Sequence, residues 1–294
     1  MKKVVQSIRR IGLVANSDRP IAARLVRRVV GLLDAYHLIV RCDPPTAEFL
    51  DKSVAVAESI AHLARESDLL LVFGGDGTML RVAREVAGLP VLVLGINAGN
   101  LGFLTSVPSD RLSEALKKIS QGAFTIDERA LIEAHLECGA NRSTQSALND
   151  FVIGRGLTSR LIELEVSVND ELLTRYRCDG LIASSPTGST AYSLAAGGAI
   201  VSPDAEVLIL TPICPHTLSI RPLVVNLNAV LKVKLISSRL IATFAADGQQ
   251  QLDLSQGDVV TIRRSARSVR LLRLEGTNFF GTLREKFGWS GSNV

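Results

Sequence analysis

The 294 residues exceed one typical domain, so two are expected, and 47% hydrophobic against 21% charged residues describes a globular chain with a sizeable core. With 4% aromatics and a net charge of +4 dispersed along the chain, neither a base-stacking platform nor a nucleic-acid-binding stripe is in view. The basic start "MKKVVQSIRRIGLV" lacks the apolar run of a signal peptide, no stretch reaches the length of a membrane span, and the scattered cysteines and histidines form neither a zinc pattern nor a disulfide framework. A cytoplasmic chain without nucleic-acid or membrane partners is the expectation.

From the start to residue 125, apolar runs alternate with segments of helical period. "IGLVANS" (11–17) reads as a buried strand. Ile21, Leu25, Val29, Leu32 and Tyr36 then fall on one helical face, and "LIV" (38–40) suggests a second strand. Residues 53–66 read as a helix and "LLLVF" (69–73) as a strand. Met79, Ala83 and Val86 stripe the next helix, which stops at Gly88 with Pro90 beyond. "VLVLG" (91–95) is another strand, and Ser109 is placed to cap a helix carrying Leu112, Leu116 and Ile119. This alternation implies an α/β domain over 1–125 with a parallel sheet.

From residue 126 the period becomes two. Ile132, Ala134, Leu136 and Cys138 share one face against Glu133, His135 and Glu137, and Ile162, Leu164, Val166 and Val168 repeat the pattern. "NDE" (169–171) reads as a hairpin turn, and "LKVKL" (231–235) and "VRLLRL" (269–274) suit strands. A β-rich, mostly antiparallel C-terminal domain over 126–294 follows, its last ~20 residues able to pack back on the first domain.

The chemistry concentrates first in "LLLVFGGDGTML" (69–80). Gly74, Gly75 and Gly77 between strand and helix bare backbone N–H groups to an anion at the C-terminal edge of a parallel sheet. Neither the P-loop nor the G-x-G-x-x-G fingerprint occurs. Asp76 stands among those glycines, where phosphate would repel it. A tight turn with Asp76 as a cap is one reading. The other is phosphoryl transfer, in which the glycines hold donor phosphates and Asp76 takes the proton of an attacking hydroxyl, with a divalent cation such as Mg²⁺ offsetting the repulsion. A second glycine set, "GINAGNLGFLT" (95–105), follows the next strand and can wall the same pocket.

Three stretches in the second half stand out. "ALNDFVIGRG" carries Asn149 and Asp150 before a strand. "YRCDGLIASSPTGSTAYSLAAGGAIVSP" is dense in hydroxyls, with Asp179 at its head and Thr187 within it. "FAADGQ" supplies Asp247 and Gln249. Asn-Asp and Asp-Gly are also strong turn formers, so turn and site both stay open for Asn149 and Asp247. Hydroxyls, an amide and carboxylates together suit a ribose-rich ligand, and the Tyr192 ring suits a planar base or a place in the core.

Together, GGDGT, the "ND" pair, "DGLIASSPTGSTAYSLAAGG", "TPICPHTLSIRPLVV", "ADGQ" and "FFGTLREKFGW" resemble the bacterial NAD kinases, ATP- or polyphosphate-dependent, over nearly the whole chain. GGDGT alone is shared with lipid kinases of the diacylglycerol type; the TGSTAYS stretch with the ND pair is more specific. The resemblance implies an α/β domain followed by a β-rich domain, and Mg²⁺-dependent transfer of the terminal phosphoryl group of ATP to the 2′-hydroxyl of the adenosine ribose of NAD. It implies Asp76 as general base with Gly77 beside it. Asn149 and Asp150 would contact the dinucleotide, while Asp179 and the segment Thr190, Ala191, Tyr192, Ser193 to Ala195 would shape its pocket. Arg160, Arg177 and Gln249 would be further substrate contacts, with a solvated strand-end charge as the alternative for Arg160. A homodimer or homotetramer is implied. Asp150 stands where relatives often carry Glu, and Ala195 replaces a small polar residue. The competing functions are a lipid kinase and a non-catalytic dinucleotide-binding regulator.

Overall fold

A computed structural model describes residues 8–50, 54–99, 102–157, 159–238 and 240–289. Its contacts divide the chain into two compact units, one from the residues up to Glu128 together with those from Ser268 onward, the other from Arg129–Arg267.

The first unit begins with β1 (Arg10–Ala15), α1 (Pro20–Leu33), β2 (Ile39–Cys42), α2 (Pro44–Ala47), β3 (Ala55–Val56) and α3 (Ile60–Arg65). It continues through β4 (Leu69–Gly74), α4 (Asp76–Glu85), β5 (Leu92–Asn97), β6 (Val107–Pro108) and α5 (Leu112–Ser120), and β7 (Phe124–Cys138) leads out of it. Strands β3-β2-β1-β4-β5 pair side by side, every pair parallel. Parallel pairing requires crossovers, so the strands are covered on both faces, and β4 and β5 are accordingly buried at every residue. Leu13, Leu69, Leu71, Phe73, Leu94 and Ile96 meet Leu25, Val26 and Val29 of α1 in this unit's core.

Because β1 lies between β2 and β4, strand order reverses beside β1, and the chain ends of β1, β4 and β5 gather at that switch point. Asn16 N–H donates to the Phe73 carbonyl (3.0 Å) and Ala98 N–H to the Gly74 carbonyl (3.1 Å), which draws the three following loops together.

The second unit holds β8 (Asn141–Ala147), β9 (Asp150–Gly154), β10 (Ile162–Val168), β11 (Glu171–Cys178), β12 (Gly180–Ser184), α6 (Tyr192–Ala195) and β13 (Val207–Ile213). It closes with β14 (Leu223–Asn226), β15 (Leu231–Leu235), β16 (Ala242–Ala246) and β17 (Gln250–Leu254), before β18 (Val259–Leu274) returns the chain to the first unit and α7 (Phe279–Phe287) ends it. Two antiparallel sheets face each other, β11-β10-β15-β18 and β14-β13-β12-β9-β16-β17. Ile162, Leu164 and Val166 from one meet Phe151, Leu181, Leu210 and Phe244 from the other, as in a β-sandwich. Asn169 and Asp170 take positive φ (51° and 67°), the two-residue turn whose twist matches the flanking strands, so the expected hairpin forms between β10 and β11.

Local readings are corrected in three places. The helix expected over 53–66 shrinks to α3, because the Ser59 hydroxyl accepts the His62 N–H (3.1 Å) and starts the helix there, after the short strand β3; residue 53 lies outside the described residues. Tyr36 leaves the α1 stripe: the helix passes into a 3₁₀ turn at Asp34, and the tyrosine is 38% exposed. Ser109 makes no cap and opens a 3₁₀ turn before α5.

Candidate active site

Strand β4 delivers the glycine turn to the switch point, and α4 starts at Asp76 itself with Gly75 as its N-cap residue. Asp76 does not cap its own helix. Its Oδ2 accepts the Phe103 N–H (2.9 Å) and its Oδ1 accepts the Leu104 N–H (3.1 Å), so the carboxylate ties the loop after β5 to the start of α4. Each oxygen keeps a second lone pair. Gly102 allows this approach, since a Cβ there would overlap Asp76 Oδ1.

The three glycines of the turn differ in what requires them. A Cβ at Gly74 would strike the Thr78 side chain, a packing reason. At Gly77 a Cβ would meet nothing within 4 Å, and at Gly75 only the Arg19 guanidinium at 4.0 Å. Their missing side chains leave room beside the backbone at a helix N-terminus, where anions are favoured. The exposed Arg19, just before α1, reaches both glycine loops: its Nη1 is 2.7 Å from where a Cβ of Gly99 would stand. Sequence reasoning passed over Arg19. Its available signal was an Arg-Pro step at the end of a switch-point strand, where a cation can face a bound anion.

In the second unit, one end of the β12-β9-β16 sheet gathers most of the expected binding residues. Antiparallel register sets Asp150 opposite Ser184, and Phe151 opposite Ala246. The buried Asp247 carboxylate accepts N–H groups from Leu148 (3.0 Å), Asn149 (2.8 Å) and Asp150 (3.3 Å), and so fixes the Asn149–Asp150 step. Ser185 seals the other side: its N–H donates to the Asn149 carbonyl (2.8 Å) and its hydroxyl to the Leu148 carbonyl (2.5 Å). Burial, then the neighbouring Asp247 charge, pushes the Asp150 carboxyl up to about 7.

Beyond Ser185 the chain makes a 3₁₀ turn over Thr187–Thr190 and then α6. Thr187 is buried and its hydroxyl receives Nη1 of Arg129 (3.1 Å), a buried arginine with no motif to announce it in the sequence. Ser193 is buried against the Thr211 hydroxyl (2.9 Å), whereas the Tyr192 ring is 48% exposed and belongs to no core. Thr190 and Ala191 are half-buried, and Ala195 and Gln249 are exposed. Asp179, Arg177 and Arg160 stand apart from this group. Asp179 precedes β12 and pairs with Arg155 (2.9 Å), so the length of β12 separates it from Ser185. Arg177 is exposed near the end of β11, and Arg160, also exposed, precedes β10, whose Ile162 lies opposite Cys178.

Family models for the ATP-NAD kinase N-terminal domain and C-terminal domain match residues 11–124 and 148–274. The chain belongs to the NAD kinase family. It is 40% identical over 290 residues to the NAD kinase of Syntrophotalea carbinolica, covering 96% of this chain and 99% of that one. To the NAD kinase of Moorella thermoacetica it is 42% identical over 288 residues, covering 97% and 91%. Among solved structures, yeast NADH kinase complexed with NADH superposes with a TM-score of 0.89 at 26% identity, covering 99% of this chain and 90% of that one. An NAD kinase from Archaeoglobus fulgidus in complex with ATP gives 0.72 at 26% identity, covering 95% and 97%. The chain is therefore an enzyme, a phosphotransferase of the NAD kinase family, and neither the lipid-kinase nor the non-catalytic alternative finds support.

Proposed function

We propose that this NAD kinase phosphorylates the 2′-hydroxyl of the adenosine ribose of NAD with ATP, and that Asp76 is its general base. The observation that carries the reading is the Asp76 carboxylate, pinned by two amide N–H groups inside a glycine turn at the switch point of a parallel sheet. Space beside Gly75 and Gly77 that no side chain fills, the positive end of α4 and the Arg19 guanidinium favour the donor phosphates. The 2′-oxygen attacks the terminal phosphorus, the bond to the ADP oxygen breaks, and the hydroxyl proton passes to a lone pair of Asp76. Pinning matters because such chemistry is mostly positioning.

No group of three or more His, Cys, Asp or Glu that could hold a metal ion occurs among the described residues. The single Asp76 carboxylate beside the glycine turn suits Mg²⁺, which ordinarily takes one or two carboxylates and completes its shell with substrate phosphates and water. The ion would be held beside Asp76 mainly by the ATP phosphates, whose charge it would neutralise, leaving the Asp76 carboxylate to take the proton.

Asn149 and Asp150, with Thr187, Thr190, Ala191, Tyr192, Ser193, Ala195, Asp247 and Gln249, form the dinucleotide side of the proposal. Asn149 offers an amide on a step that Asp247 and Ser185 hold rigid. Asp247 acts here through the backbone it fixes, and Tyr192 offers its exposed ring to a planar base. Arg160, Arg177 and Asp179, at the far end of β12, would meet ligand in a homodimer or homotetramer where one subunit completes another's site. No helix among the described residues is long and apolar enough to cross a membrane, and a cytoplasmic enzyme is proposed.

The test is incubation with NAD and either ATP or inorganic polyphosphate, with an NADP-specific enzymatic readout. NADP formed with ATP supports the reading, and the polyphosphate arm sets the donor range. No NADP from folded enzyme with ATP and Mg²⁺ overturns it.

A further inference from the structure

The Asp76 carboxylate is held by the backbone of Phe103, and the Phe103 side chain leads to the end of the chain. Its ring is half-buried between two phenylalanines of α7, with centroids 6.2 Å from Phe279 and 6.1 Å from Phe287. Lys286 sets its ammonium 5.0 Å from the Phe103 centroid, the geometry of a cation over an aromatic face. Phe280 and Trp289 extend the cluster, at 5.7 Å from Phe279 and 5.4 Å from Phe287.

The helix that presents these rings is fixed at both ends. Asn278 caps its start by accepting the Gly281 N–H (2.7 Å), and Gly288 ends it at φ 64°. Leu283 is buried beneath it. The approach to the helix is anchored as well, since the Glu275 N–H donates to the Ala123 carbonyl (3.2 Å) and Lys118 donates to the Glu275 carbonyl (3.1 Å). A ring gripped on several sides restrains where the Cα–Cβ bond of its own residue can sit, and with it the adjoining peptide N–H. That N–H is 2.9 Å from Asp76 Oδ2.

We infer that α7 is a positioning element for the proton acceptor, with Phe279, Phe287 and Lys286 seating Phe103 so that residues 103 and 104 aim the Asp76 carboxylate. This rests on the general-base reading of Asp76. None of the four residues touches the reacting atoms. Their effect passes through two backbone N–H groups, so it falls on turnover and leaves NAD affinity alone.

The experiment measures kcat and KM for NAD in Phe103→Ala, Phe279→Ala and the double variant, with Asp76→Asn alongside. Urea midpoints and far-UV circular dichroism report folding. Expected are kcat losses on the order of 10-fold for each single variant, inside the ~10²-fold that a 1 Å misplacement can cost. KM for NAD should stay within about twofold in Phe279→Ala, which lies outside the glycine loops, and kcat of the double variant should be no lower than that of Phe103→Ala, because both break one chain of contacts. Phe103→Tyr, which keeps the ring, should restore most of kcat. If the alanine variants do not fold, Phe279→Leu carries the test with the same outcomes. Unchanged kcat in folded variants while Asp76→Asn is inactive overturns the α7 inference alone. A fully active Asp76→Asn overturns the base assignment and this inference with it.

Discussion

At Gly102, one methyl group decides where a carboxylate can sit. A Cβ there overlaps Asp76 Oδ1, so Gly102→Ala must push the Asp76 side chain off its two N–H donors. We expect kcat to fall by about 10²-fold together with a destabilisation of about 1–3 kcal/mol, since Gly102 is buried and the added Cβ also overlaps the buried Thr105 hydroxyl. Steady-state NADP formation beside urea unfolding checks both halves. Asp150 carries a different signature. Its carboxyl is raised to about 7 in the fold by burial and by Asp247, from the ordinary 3.8. A raised carboxyl favours the folded state most when protonated, so that contribution is full below pH 3.8 and is lost as pH rises through about 7. Asp150→Asn should remove this slope. Wild type should lose on the order of a few kcal/mol relative to the variant between pH 4 and pH 8, measured by urea unfolding across that range.

Elements built from local rules were legible, and contacts between distant residues were not. The turn at Asn169–Asp170, the strands at either side of it and the start of α4 just after Gly75 all follow from residue types a few positions apart. The bonds from Phe103 and Leu104 to Asp76 cross 27 and 28 positions and use backbone N–H groups, which every residue but proline carries, so no residue type marks them. Asp247 shows the same limit: Asp-Gly looked equally like a turn or a site, and its carboxylate is committed to amides 97 to 99 positions away. The 53–66 helix failed because apolar spacing continued past a stronger local signal, the Ser59 cap. Close packing between elements also makes Gly188 testable. A Cβ there would overlap the Asn149 carbonyl, backbone that cannot swing away, so Gly188→Ala should displace either the 3₁₀ turn or the Asn149–Asp150 step. A destabilisation of about 1–3 kcal/mol with weakened NAD binding is expected, read by thermal unfolding and calorimetry.

Over the whole chain, the switch from helical period to alternation near residue 126 announced an α/β region and a β-rich one, because each period reflects how many faces an element buries. Strand order was beyond reach of that signal. Strand β9 lies between β12 and β16, which are far along the chain, and that neighbourhood places Asn149, Ser185 and Asp247 together. Motif spacing nevertheless marked the same segments without knowing their arrangement, which is why similarity to NAD kinases could be recognised from the glycine turn and the hydroxyl-rich stretch before any strand was paired. The central claim concerns one proton. The direct measurement is single-turnover NADP formation by Asp76→Asn at saturating ATP and Mg²⁺, with the NAD dissociation constant determined on the same sample. Loss of the proton acceptor should slow the chemical step by about 10²–10⁴-fold while NAD binds within a few-fold of wild type. An Asp76→Asn enzyme that forms NADP at the wild-type rate would contradict the account.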